Sequence, residues 1–403
     1  MAAHWFARKA DDEKGSRQMR IGILTFHSQL NYGGVLQCWA LQTALEKMGH
    51  EVVVIDHRLR GSIEISQMFG FMDIRRWLRS IFGMWLIPGS SCFVRCIKTR
   101  RFIRKRLNLS SYHFVNWKDA PANLGVDGII VGSDQVWRCL DGMDPSPYLL
   151  IGAPSIPAIA YAASFGMPTI PPCCAQVYKE GLSRFDAISS REAEGVEICK
   201  ALGYPAIHVL DPTILDVDFK TSLQLQKHRE LVCYFLSEKI DEVWKPIVTF
   251  ARNMDCQVKI YSSPTIVPCP IGKKKGGMFL RMFLRQFESK VKIEYTAGPE
   301  EFAAAFRNAK WVVSDSFHAL MFSIRNNCNV RIIKPSKAMR QSMFARIREF
   351  AGHTQGPVIV DSVEEALSSF VRGESVKFDF DWILARQAES RNWLRSALEN
   401  MVK

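Results

Sequence analysis

The chain has no CxxC pair, no GxGxxG turn, no secretory-type leader and no internal repeat or low-complexity tract. Each absence removes a class of reading. Without GxGxxG, nothing in the first turn specifies a dinucleotide. The cysteines number eleven, an odd count, and the CxxxC at Cys92 and Cys96 and the vicinal Cys173-Cys174 lack a second half that would complete a zinc set. They read as reduced thiols of a cytoplasmic protein, with no metal site expected. The longest uncharged run, Pro145 to Tyr178, carries seven prolines, and Ser80 to Val94 is short and interrupted by Gly83, Pro88 and Gly89. Neither is built to cross a bilayer as one helix, so no transmembrane segment is expected. Residues 1–18 are polar and mixed in charge, and are expected to form a disordered leader.

What the chain does have is positive charge and recurrent apolar strands. Lys and Arg number 53 against 40 Asp and Glu, a formal net charge of +13. Such a balance favours anionic partners: phosphorylated metabolites, acidic glycans, an acidic lipid surface or nucleic acid. From Asp73 to Leu109, Arg75, Arg76, Arg79, Arg95, Lys98, Arg100, Arg101, Arg104, Lys105 and Arg106 alternate with Trp77, Phe82, Trp85, Phe93 and Phe102. This basic amphipathic stretch reads either as a solvated helical face or as a surface for an anionic membrane, on the inner face if so. No nucleic-acid motif accompanies the charge, so a nucleic-acid partner is not expected.

The strand Ile21–Phe26, a glycine-bearing turn, a helix from Val35 to Met48 and the strand Glu51–Asp56 form a βαβ unit, the usual start of a doubly wound sheet. Polar clusters then recur at the ends of apolar strands: Gly132-Ser-Asp-Gln135 after Val126–Val131, Ser164 after Ala158–Ala163, and Arg191-Glu192 after Phe185–Ser190. Open α/β sheets bind ligands at these carboxyl ends. Asp211-Pro-Thr213 marks the exit to a second α/β pattern, which begins at Glu230. A basic loop or lid is expected over Ile271–Lys290. The second pattern contains Trp311-Val-Val-Ser-Asp-Ser-Phe-His318, a buried strand running into a polar turn that opens a helix. Ser314, Asp315 and Ser316 offer N-cap side chains, and the start of the helix favours an anion. His318 either packs against this helix or donates a proton to a bound phosphate ester. Lys334, Lys337, Arg340, Arg346 and Arg348 follow as a basic cluster, and an amphipathic helix closes the chain from Phe380 to Leu398.

Six pieces in this order resemble the polysaccharide pyruvyl transferase family: Ile21–Phe26 with Asn31-Tyr-Gly-Gly-Val-Leu-Gln37, Asp127–Trp137, Tyr161–Gly166, Ser190-Arg-Glu192, Leu210-Asp-Pro-Thr213 and Ser314–His318. The resemblance implies an α/β fold of two Rossmann-like domains facing a cleft, glycosyltransferase-B-like, with a C-terminal helix crossing back to the first domain. The expected division is 19–209, 210–376 and a terminal helix over 377–403. The resemblance also implies phosphoenolpyruvate as donor substrate, no further cofactor, a glycan or lipid-linked saccharide as acceptor, and a pyruvate ketal as product. On it, His318 is the acid; Asp134, by its location at a strand end, is the candidate for the acceptor side. Arg191, Ser314, Asp315, Ser316, Arg340 and Arg346 hold the donor, while Asn31, Tyr32, Gly33, Ser133, Gln135 and Ser164 line the cleft. Many members carry an arginine where this chain has Ser316, which leaves Lys334, Arg340 or Arg346 to supply that charge. A nucleotide-sugar glycosyltransferase and a non-catalytic glycan-binding protein are the alternatives.

Overall fold

The structure, a computed structural model, describes residues 18–58, 88–140, 142–218, 227–237, 240–262, 290–334 and 344–401. The expected leader up to residue 17, most of the expected loop over 271–290, the start of the basic stretch before residue 88, and Lys337 and Arg340 lie outside the described residues.

The first sheet is formed by β1 (Arg20–Leu24), β2 (Glu51–His57), β3 (Leu109–Phe114), β4 (Gly128–Val131), β5 (Ala158–Ala163), β6 (Ala187–Ser190) and β7 (Ile207–His208). They lie in the order 3-2-1-4-5-6-7 and every pairing is parallel. A parallel sheet has helices on both faces, so its strands read as continuous apolar runs such as Gly-Ile-Ile-Val and Ala-Ile-Ala-Tyr-Ala-Ala, buried along their whole length. The second sheet repeats the plan with β8 (His228–Phe235), β9 (Gln257–Ser262), β10 (Val291–Ile293), β11 (Ala309–Ser314) and β12 (Asn329–Ile333). After the short β13 (Thr354–Gln355), β14 (Ile359–Val360) completes it in the order 10-9-8-11-12-14. β13 pairs with β15 (Lys377–Phe378) in a separate antiparallel ribbon. Each sheet reverses its strand order once, at β1/β4 and at β8/β11, and a doubly wound sheet opens a crevice at that point.

The helices that matter for the site are α1 (Tyr32–Lys47), α2 (Pro88–Arg106), α3 (Pro299–Asn308), α4 (Phe317–Arg325), α5 (Ala345–Gly352) and α6 (Phe380–Met401). α1 leaves β1 and α4 leaves β11, so each starts at one of the two switch points. The terminal α6 packs on the first sheet, as the resemblance implies. Its Ser390 hydroxyl accepts the Leu210 amide at 2.9 Å, Gln387 donates to the Ile214 carbonyl at 2.6 Å, and Trp393 packs on Tyr161. The fold is thus the expected pair of parallel α/β units, with the terminal helix returning to the first. No helix of the described residues is long and apolar enough to cross a membrane.

One expectation for the first turn is corrected. Tyr32 does not line an open cleft. It is 1 % exposed, stacks on Phe302 of α3 at 4.3 Å and packs on Tyr234 and Tyr261 of the second sheet. Its hydroxyl donates to the Ala297 carbonyl at 2.8 Å, and the Arg95 guanidinium covers its ring at 4.1 Å. Burying a tyrosine is favourable only when the hydroxyl keeps a partner, and here the partner belongs to the other sheet's unit. Tyr32→Ala is therefore expected to destabilise the protein by about 3–5 kcal/mol and Tyr32→Phe by about 1 kcal/mol. Urea unfolding of both variants against wild type measures the difference.

Candidate functional site

The carboxyl ends of β4, β6 and β7 bring three carboxylates around one guanidinium. Gly132, at φ +119, turns the chain after β4 where a Cβ would stand 2.2 Å from the Tyr161 carbonyl oxygen, so only glycine fits. The turn delivers Ser133 and Asp134. Arg191, which follows β6 and is 3 % exposed, donates from Nη2 to Asp134 at 3.1 Å and from Nη1 to Asp211 at 2.8 Å and Ser133 Oγ at 3.3 Å. Its Nε lies 3.6 Å from Glu192 and makes no hydrogen bond. Burial alone would lower the pKa of this guanidinium, but Asp134, Asp211 and Glu192 outweigh it and hold it above the ordinary value.

Asp211 is fully enclosed by this arrangement. It caps its own short turn by accepting the Thr213 amide at 3.0 Å and the Thr213 hydroxyl at 2.7 Å, and it accepts from Ser133 Oγ at 3.2 Å. Burial raises its pKa, and Arg191, then His318, then the Thr213 bonds more than offset that and hold it at about 2. Sequence reasoning read Asp211 as part of a domain exit and of one family-like piece, and gave it no place in the site. Its signal was present as an Asp-Pro-Thr turn, but that pattern also marks any ordinary helix start.

The second unit meets this cluster through α4 and α5. His318, 8 % exposed, places Nε2 at 4.0 Å from Asp211, with no hydrogen-bond partner among the described residues. On its other side the ring lies against the start of α1, because a Cβ on Gly33 would stand 2.2 Å from His318 Nδ1. The Phe317 ring lies against two guanidiniums, with Arg191 at 5.3 Å and Arg346 of α5 at 4.6 Å. Arg346 is 3 % exposed and pairs with Glu192 at 3.3 Å. Burial, followed by the nearby Arg191, lowers its pKa to about 10. One turn further, Glu349 meets His208 at 3.3 Å, and burial pushes this carboxyl up to about 7.

The structure thus gathers His318, Asp134, Arg191, Ser133, Gly33 and Arg346 from the expected set, and adds Asp211, Glu192 and Phe317. Three placements differ from expectation. Arg191 is not an open anion clamp, since carboxylates and a serine of the protein already hold both terminal nitrogens. Ser314 and Asp315 do not face a donor: Ser314 Oγ donates to the Tyr234 carbonyl, and the Asp315 carboxylate accepts the Leu236 amide at 2.6 Å and the Ser237 amide at 2.7 Å. The backbone amides just beyond β8 need acceptors, and the Asp315 carboxylate supplies them. Ser316 holds the N-cap position of α4 but makes no side-chain cap bond. Lys334 pairs with Asp361 at 3.1 Å on the surface. Asn31 caps α1 by accepting the Gly33 amide, Ser164 donates to Glu192, and Gln135 accepts from Arg138.

The charge count sets the chemistry. Asp134, Asp211 and Glu192 face Arg191 and Arg346, so the cluster carries one net negative charge while His318 is neutral. Burial lowers the His318 pKa; Asp211 and Asp134 oppose the shift, and Arg191 and Arg346 add to it. An imidazole at the junction of two helix starts and beside a buried carboxylate is built to take up a proton when a negative ligand arrives.

Residues 31–336 match the family model described as polysaccharide pyruvyl transferase. None of the curated proteins compared with the chain matches it. Among solved structures, UDP-N-acetylglucosamine 2-epimerase from Rickettsia bellii is 9% identical with a TM-score of 0.47, over 96% of this chain and 97% of that one. UDP-GlcNAc 2-epimerase from Neisseria meningitidis is 9% identical with a TM-score of 0.46, over 94% and 99%. Acinetobacter baumannii MurG is 11% identical with a TM-score of 0.40, over 95% and 93%. Nothing about the site follows from these likenesses.

Two outcomes test the geometry. Gly33→Ala drives a methyl group into the His318 ring and is expected to cost about 1–3 kcal/mol in stability. Gly34→Ala, whose Cβ would stand 3.2 Å from Asp134 Oδ2, should cost less; thermal melting compares the two. The second outcome concerns pH. Because the folded His318 pKa lies below its unfolded value, the unfolded chain takes up the proton first as pH falls, and stability declines through that window. His318→Gln should therefore lose less stability than wild type between about pH 7.5 and pH 5, measured as the difference in denaturation midpoints.

Proposed function

The chain belongs to the polysaccharide pyruvyl transferase family, and from that premise we propose that it transfers the pyruvyl group of phosphoenolpyruvate to two hydroxyls of a glycan or lipid-linked saccharide. One observation carries the proposal: a buried histidine nitrogen without a partner, at the meeting of the two switch points, beside a carboxylate and two guanidiniums. In the reaction, the methylene carbon of the enol gains a proton and C2 becomes electrophilic. The two sugar oxygens bond to C2, and the C2–O bond to phosphate breaks. Of the two hydroxyl protons released, one balances the new methyl group and the other leaves with phosphate.

His318 supplies the first proton. It is neutral before the donor binds, because burial disfavours its charged form, and the donor's negative charge reverses that preference. Arg346 is the cation that answers for Ser316. It comes from α5 to lie over the ring of Phe317, the residue after Ser316, and its partner Glu192 lies at 3.3 Å. Arg191 acts through Asp211 and Asp134, fixing the carboxylates that border the imidazole. Asp134 borders the acceptor side as the hydrogen-bond acceptor for a sugar hydroxyl.

Mixing enzyme, phosphoenolpyruvate and the correct saccharide should release inorganic phosphate, and His318→Ala should lower that rate by about 100- to 10,000-fold while the protein remains folded. Full turnover by the variant would remove His318 from the mechanism. A melting-temperature rise with nucleotide sugars and none with phosphoenolpyruvate would instead move the reading to glycosyl transfer.

A further inference from the structure

The site leaves one strongly charged feature of the molecule unexplained. On α2, Ile97, Arg100, Arg101, Arg104 and Lys105 line an open groove of about 520 Å³ among the described residues. The opposite side of the same helix is occupied. Lys98 pairs with Glu301 and Arg106 with Glu300, both on α3, and Arg95, Cys96, Thr99, Phe102 and Ile103 are buried. Arg101, Arg104 and Lys105 are exposed and have no acidic partner among the described residues. Like charges crowd here: the Arg100 pKa is lowered by burial and then by the nearby Arg104 and Arg58. Ile97 is 43% exposed amid these cations, one of few large apolar side chains left in solvent.

We propose that this face of α2 docks on an anionic lipid bilayer. A patch that only neutralised a soluble anion would have no use for an exposed isoleucine between its cations. An interfacial helix has both, with cations at the headgroups and an apolar side chain between them. The sequence leading into α2 continues that composition, with Arg75, Arg76 and Arg79 among Trp77, Phe82 and Trp85. The location also fits. α2 lies against both units beside the site: Arg95 donates to the Leu30 carbonyl at 3.2 Å, one residue before the cap of α1, while Lys98 and Arg106 reach α3 of the second unit. The docking itself does not rest on the proposed transfer.

The test is sedimentation of the full chain with vesicles of phosphatidylcholine containing about one-third phosphatidylglycerol, at low and high salt. Binding is expected to the mixed vesicles, not to phosphatidylcholine alone, and to be lost at high salt. The triple variant Arg101→Glu, Arg104→Glu, Lys105→Glu should bind at least about a hundredfold more weakly. If the triple variant melts early, the single reversals at Arg101 and Lys105 each serve, with an expected loss of about fivefold or more. Ile97→Ser should weaken binding to the mixed vesicles, and a pure-charge patch would leave it unchanged. Failure to sediment with anionic vesicles at low salt overturns the proposal. So does equal binding by the charge-reversed variants, or capture by dextran sulfate without any vesicle binding, which would assign the groove to a soluble polyanion. These readouts involve no phosphoenolpyruvate, so failure of docking and failure of the transfer reading are separate results.

Discussion

The arrangement depends on a single buried cation. Arg191 sits where β4, β6 and β7 end, and its terminal nitrogens bind Asp134 and Asp211 at 3.1 and 2.8 Å. A guanidinium removed from water is costly unless its charge and donors are matched, and breaking such a pair on one side costs about 3–5 kcal/mol because the partner is left unpaired. The match therefore does more than hold Arg191. It fixes the turn after β4, the turn after β7 and, through Glu192 and the Phe317 ring, the approach of Arg346 from the second unit. One ion-pair network thus sets the distance between the two switch points.

That solution constrains the chemistry next to it. Since the carboxylates outnumber the guanidiniums by one, the cluster is not a ready-made anion hole; on the proposed reading, a phosphorylated donor finds its best partner only after a proton has been taken up. His318 is the group placed to take it. Its Nε2 is close enough to Asp211 for an imidazolium to be stabilised, yet at 4.0 Å it is not committed to a hydrogen bond. Burial favours the neutral ring and the two carboxylates favour the charged one, so the balance can be tipped by a ligand's charge.

Much of this was legible in the sequence. The strands announced themselves as short apolar runs, and the polar clusters after β4, β6 and β11 stood at the carboxyl ends where doubly wound sheets bind ligands. What sequence could not give was the direction in which each polar group is satisfied. Ser314 and Asp315 have the composition of a helix cap, but groups some 80 residues away in the chain compete for them and win: the Tyr234 carbonyl of β8 takes the Ser314 hydroxyl, and the amides beyond β8 take the Asp315 carboxylate. Tyr32 sits beside a glycine turn like a cleft residue, yet its ring finds Phe302 of the other unit. Arg191 could be read as compensated by its neighbour Glu192 or as serving an anion, but Asp211, which pairs with it more closely, lies in a different turn. In each case a long-range partner overrode a sound local pattern.

The two units are also joined in two energetically different ways, which bears on how a ligand reaches His318. The salt bridges of α2 to α3, Lys98 to Glu301 and Arg106 to Glu300, are between half-exposed or exposed side chains and hold little. The Tyr32 cluster, and the contacts of Phe317 and Arg346 with Arg191 and Glu192, are buried and hold more. Opening the units as rigid bodies would break both buried sets at once. Exchange of partners within the network breaks far less: the pairs to Glu192, at 3.3 Å from Arg346 and 3.6 Å from Arg191, are longer than the Arg191–Asp211 pair at 2.8 Å. An incoming phosphate or carboxylate that takes the place of Glu192 beside Arg346 leaves the Arg191–Asp211 anchor intact. On the proposed reading, binding is then an exchange of one carboxylate partner for another, with His318 gaining the proton that keeps the charge in balance.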